Sequence, residues 1–80
     1  MEIASVIRDY IFQELLRGEA VDLDEDTPLV EDGYLTSLQT VELVMFLEER
    51  FPLQIDPEEV NEEEFRSLRT ITSLVERKIG

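Results

Sequence analysis

Residues 32–51 read D-G-Y-L-T-S-L-Q-T-V-E-L-V-M-F-L-E-E-R-F. Asp32-Gly33 is a turn signal, and Thr36-Ser37-Leu38-Gln39 matches a capping box, with threonine at the cap and glutamine three residues on. The spacing predicts a helix from about 37 to 51, stopped by Pro52. Advancing about 100° per residue separates two apolar stripes on it. Leu43, Val44, Leu47 and Phe51 form one; Leu38, Val41 and Met45 form the other, nearly opposite, with Glu42 and Glu49 on one margin and Glu48 on the other. The first stripe is a core contact. The second fits either a central helix packed on both sides or a docking face with an acidic rim, and the rim favours docking.

Working outward, Ile3, Val6, Ile7, Tyr10, Ile11 and Leu15 recur at helical spacing, with Gly18 as a stop, which predicts a first helix over about 3–17. Residues 19–35 lack that period and read as a long loop, with one short turn beginning at Pro28 behind a Thr27 cap. Leu23, Leu29, Val30 and Leu35 are the side chains expected to pack it. Asp56-Pro57-Glu58-Glu59 and Asn61 to Glu64 predict one or two helical turns over 57–66, with Val60 and Phe65 facing inward. Ser67 caps a last helix whose inner face is Leu68, Ile71, Leu74, Val75 and Ile79. The expected fold is all-α: a small four-helix bundle, three main helices plus a short third one, with a long first loop, in one domain over residues 1–80.

Composition narrows the chemistry. The chain has 80 residues, no cysteine and no histidine, which removes disulfides, thiolate metal sites and the usual general base. No apolar run is long enough for a membrane span, and the N-terminus lacks the pattern of a signal peptide, so a cytoplasmic domain is the expectation. The formal charge is −13, and residues 19–64 hold sixteen carboxylates against one base, Arg50. Phosphates would be repelled, so nucleic acid is an improbable partner; a basic protein surface is the natural one. Asp22, Asp24 and Asp26 imitate the start of a calcium loop, but Thr27 and Gly33 stand where that loop needs glycine and glutamate, so no metal site is expected.

Ser37 sits at the mouth of the 37–51 helix. As a nucleophile it would need a base, yet there is no histidine and Lys78, the only lysine, lies at the far end of the chain. It is then either a tolerated first-turn residue or a place where another enzyme attaches a group; a phosphate-linked group there would meet unpaired backbone N–H groups and the positive end of the helix dipole.

G-Y-L-T-S-L-Q-T-V-E-L-V-M-F-L-E-E-R-F resembles the central helix of acyl carrier proteins, whose motif is a serine within Asp-Ser-Leu, and L-V-E-D-G-Y-L resembles the turn before it. The likeness extends over almost the whole chain. It implies a non-enzymatic carrier with Ser37 bearing 4′-phosphopantetheine from coenzyme A and acyl groups held as thioesters on its thiol, including aminoacyl or polyketide groups of a specialised pathway. Leu38, Val41, Glu42, Met45, Glu48, Glu49 and Ile55 match the family's partner-docking positions. The implied partners are a phosphopantetheinyl transferase and a loading ligase, synthase or transferase with a basic surface, acting on a monomer.

Two positions depart from the family. Thr36 stands in place of the motif aspartate, which bears on transferase recruitment, and Phe46 replaces a small residue, a bulk expected to narrow the space for a long acyl chain. The alternative is an unmodified acidic adaptor that kept the carrier fold and binds a basic protein.

Overall fold

The computed structural model describes residues 3–15 and 24–79. Among these there are three α-helices and no strand: α1 spans Ile3–Tyr10 and continues as a wider π-helical turn over Ile11–Leu15, α2 spans Ser37–Arg50, and α3 spans Leu68–Ile79. Ile7, Ile11 and Leu15 follow one another every fourth residue and are all buried. A wider turn keeps such a row in line, where a regular α-helix would let it drift around the axis. The expected stop at Gly18 and the packing of Leu23 fall outside the described residues.

The α2 helix begins as its sequence predicts. The Thr36 side chain accepts the Gln39 N–H at 3.2 Å, and Gln39 Oε1 accepts the Thr36 N–H at 3.0 Å. Ser67 caps α3 through a related exchange with Thr70: its hydroxyl accepts the Thr70 N–H at 3.3 Å, and Thr70 Oγ1 accepts the Ser67 N–H at 3.0 Å. Arg77 and Lys78 close the C-terminal end of α3, where the helix dipole favours cations.

The turn at Pro28 is present, since the Asp32 N–H reaches the Pro28 carbonyl at 2.9 Å. Gly33 ends it at φ +82°, a left-handed conformation that glycine adopts without strain. Thr27, however, bonds backward to Asp24 instead of capping that turn. The segment expected to be a short third helix is a single 3-10 turn, Pro57–Glu59, followed by a bend in which the Phe65 N–H bonds the Asn61 carbonyl at 3.1 Å. Asn61 holds that bend, accepting the Glu64 N–H and donating to the Glu58 carbonyl.

The core joins these pieces. Ile7 and Ile11 from helix one, Leu29 and Leu35 from the loop, Leu43 and Leu47 from α2, Phe65 from the bend, and Ile71, Leu74 and Val75 from α3 are essentially without solvent contact. At about 25 cal/mol per Å² of apolar surface, this shared burial is what a chain of 80 residues relies on. The loop is bound to it by the Leu29 N–H on the Arg66 carbonyl, 2.7 Å, and the Arg69 N–H on the Glu25 carbonyl, 2.9 Å. Ile79, expected on the inner face of α3, is instead 38% exposed.

Candidate functional site

The capped start of α2 places Ser37 at its first helical position, with the side chain exposed. Its hydroxyl makes no hydrogen bond with another described residue. The Gln39 N–H is already taken by the cap, which leaves those of Ser37 and Leu38 as first-turn donors without an intrahelical acceptor. Gln39 also donates from Nε2 to the Leu15 carbonyl at 3.2 Å, so the start of α2 is anchored to the end of helix one. The serine is therefore an exposed hydroxyl on a fixed base.

Beside it opens a cleft of about 330 Å³. Leu35, Thr36, Ser37, Thr40 and Val41 form one wall and Val60, Asn61, Glu62 and Phe65 the other, with Val30 from the loop. The lining is mainly apolar with a few polar groups, the usual make-up of a small-molecule site. Phe46 is absent from this lining. Its ring stacks on Tyr10 instead, centroids 3.9 Å apart and planes 14° from parallel, on the flank facing helix one. Phe46 thus bounds the flank of α2 toward helix one and not the cleft beside Ser37.

The two stripes of α2 separate as their period predicts. Leu43 and Leu47 are completely buried, whereas Leu38, Val41 and Met45 are 70%, 50% and 57% exposed. Glu42, Glu48 and Glu49 are exposed along the same strip. Packing of α2 on both sides is thus excluded. Ile55 is placed differently from the other docking candidates: it is buried in the core, and its backbone N–H donates to Glu48 Oε2 at 2.9 Å. One rim carboxylate is therefore engaged in holding the loop after α2.

No group of three potential metal ligands occurs among the described residues. Within the suspected calcium loop, Asp24 accepts the Asp26 N–H and the Thr27 hydroxyl, and Asp26 takes both Nε and Nη2 of Arg69. These carboxylates are occupied by the fold. No described helix is long and apolar enough to cross a membrane.

A family model described as "Phosphopantetheine attachment site" matches residues 5–77. The chain belongs to that family. Among relatives of this carrier protein, a D-alanyl carrier protein of Leuconostoc mesenteroides is 35% identical over 63 residues, 79% of this chain and 81% of that protein. An acyl carrier protein of Campylobacter hominis is 34% identical over 77 residues, 95% of this chain and 92% of that one. In structure, the carrier matches a chain of a crystal structure titled as an FAD-dependent dehydrogenase with a TM-score of 0.79 at 36% identity, covering 86% of this chain and 97% of that chain.

The protein is accordingly an acyl carrier with a covalently attached 4′-phosphopantetheine, whose terminal thiol supplies the thioester. The start of α2 fits such a group: an exposed hydroxyl, unpaired N–H groups that suit a phosphate, and an adjoining cleft.

Proposed function

We propose that Ser37 is the attachment residue and that the carrier delivers short acyl groups, aminoacyl groups among them, to partner enzymes of a specialised biosynthetic pathway. The observation that carries this reading is the exposed Ser37 hydroxyl at the first position of a capped helix, opening on the 330 Å³ cleft. That cleft is open and partly polar, which suits a short cargo better than a long alkyl chain. The D-alanyl carrier among the relatives supports an aminoacyl cargo. The chain itself supplies no catalytic residue; its part is to fix the tether and to be recognised. The arm's donor is coenzyme A, whose cytosolic pool supports a cytoplasmic setting.

Recognition falls to α2. Leu38, Val41 and Met45 are the apolar anchors and Glu42, Glu48 and Glu49 the acidic rim, meeting a basic surface on the transferase and on the loading ligase or synthase. Ile55 acts from beneath, shaping the loop after α2 rather than offering its side chain. The bend at 57–66 takes the place of the short third helix of a four-helix carrier, and the carrier works as a one-domain monomer. The likeness to a carrier-length chain in a dehydrogenase structure supports a flavin-dependent dehydrogenase acting on the loaded thioester as one partner class.

The test is intact-protein mass after incubation with coenzyme A and a broad-specificity phosphopantetheinyl transferase. The wild type should gain one phosphopantetheine and Ser37→Ala none, with its unfolding midpoint unchanged. No gain in the wild type with several transferases would instead favour the adaptor reading.

A further inference from the structure

Val30, Leu35, Val41, Val60 and Phe65 make the cleft beside Ser37 largely apolar, and most of its polar side chains are committed to the fold. The Thr36 hydroxyl accepts the Gln39 N–H, and the Thr40 hydroxyl donates to the Thr36 carbonyl. Asn61 donates to the Glu58 carbonyl and accepts the Glu64 N–H. Glu62 differs. It is exposed, makes no hydrogen bond or ion pair with another described residue, and is the only charged residue among those described as lining the cleft. The bend that carries it is held by the Phe65 N–H on the Asn61 carbonyl, 3.1 Å, and by the buried Phe65 side chain. Arg66 borders a small neighbouring recess together with Glu62, Val30 and Glu31, but no ion pair joins it to Glu62.

We propose that Glu62 selects the cargo by charge: its carboxylate receives the ammonium of an aminoacyl group folded back from the arm on Ser37, while the apolar walls take the rest of that group. This rests on the reading of Ser37 as the attachment residue and names the cargo class that its cleft prefers. An aminoacyl thioester keeps its amine and has spent its carboxyl group, so it offers one positive charge and no negative one. One uncommitted carboxylate at an apolar cleft complements that pattern. Because Glu62 is exposed, the ammonium reaches it without leaving water completely, which avoids the penalty of a buried ion pair. The contact need not be strong, since a tethered group meets the cleft at an effective concentration in about the millimolar range. A simple acyl group gains nothing from Glu62, and a dicarboxylic cargo would set its second carboxylate against it.

The experiment installs, from coenzyme A analogues, arms ending in alanyl or isobutyryl, which differ only by ammonium against methyl, each through a stable amide. Intact mass verifies loading. The readout is the backbone amide NMR shift of Val60 and Phe65 between the loaded and the unloaded arm of the same variant. From wild type to Glu62→Gln the alanyl shifts should fall about 1.5- to 5-fold, the bias of an exposed ion pair, and the difference should shrink in high salt. The isobutyryl shifts should stay the same. A malonyl arm should respond in the opposite sense, docking better in Glu62→Gln than in the wild type. Glu63→Gln, the same loss of charge one residue outside the cleft lining, should change none of these. An alanyl response independent of Glu62, or lowered equally by Glu63→Gln, would overturn the assignment and leave an apolar cleft in a diffuse acidic field. A wild type that takes no arm would show in the mass and strike the attachment reading itself, so the two failures are distinguishable.

Discussion

Gln39 donates from its side chain to the main-chain carbonyl of Leu15 across 24 positions of sequence, at 3.2 Å. The same side chain completes the capping box with Thr36. One residue thus starts the helix that presents Ser37 and fastens that start to helix one. The orientation of the serine depends on both bonds, because a frayed first turn would let it swing away from the cleft.

Gln39→Glu should separate the two roles. A carboxylate still accepts the Thr36 N–H but has no hydrogen to offer Leu15, whose part-buried carbonyl then loses its partner. A loss of about 1–3 kcal/mol is expected from that orphaned group. Gln39→Ala also removes the acceptor of the Thr36 N–H, while the Thr36 hydroxyl still caps the Gln39 N–H, and should cost about 0.5–1.5 kcal/mol more. Urea unfolding checks both, as a lower midpoint with an unchanged slope.

Stability and recognition should part along α2. Leu47→Ala removes a completely buried side chain and should cost about 2–5 kcal/mol. Met45→Ala alters a side chain that is 57% exposed, so stability should move by less than about 0.5 kcal/mol. Transferase KM should nevertheless rise by about tenfold, as for an interface anchor, with kcat little changed. Thr36→Asp keeps the helix cap and restores the carboxylate beside the serine. It should raise kcat/KM for phosphopantetheinylation with stability unchanged or slightly higher, since a negative charge suits a helix N-terminus.

Two carboxylates, Asp26 at the surface and Glu59 half-buried, tie the fold to pH. Asp26 lies below the ordinary aspartate value of 3.8, chiefly through the hydrogen bond from Arg69. Glu59 lies below 4.5, chiefly through Lys78 and then through the Asp56 N–H. A carboxyl whose folded pKa is depressed stabilises the fold above its unfolded pKa, and that stability disappears as pH falls through the folded value. Arg69→Met and Lys78→Met should each be less stable than the wild type at neutral pH, with the difference shrinking toward zero below those carboxylate values. The Arg69–Asp26 pair faces water, so its difference is small and falls further in high salt, whereas the half-buried Lys78–Glu59 pair is screened less. The wild-type-minus-variant difference is the quantity to follow in urea melts, because protonating the many unpaired carboxylates also relieves repulsion across the whole chain.

Much of this fold was legible in the residues. The capping box, the stripes of α2, the serine cap of α3 and the inward Phe65 are local or periodic signals, and each appears where its pattern placed it. The third segment was legible only as a helical tendency: Asp56-Pro57 and Asn61 each start a turn, and two competing starts a few residues apart yield a 3-10 turn and a bend. Thr27 departs from its expected place as a forward cap because its hydroxyl bonds Asp24 behind it.

By itself, the sequence determined where helices begin, which residues alternate between apolar and acidic faces, and that a serine free of any catalytic base stands at the head of α2. These follow from hydrogen-bond capacity and helical period, which are properties of neighbouring residues. Tertiary structure alone decided that Ile55 is buried rather than presented, and that Phe46 lies on Tyr10 and not in the cleft. Those outcomes depend on what packs against each face, and the groups that do so lie far away along the chain.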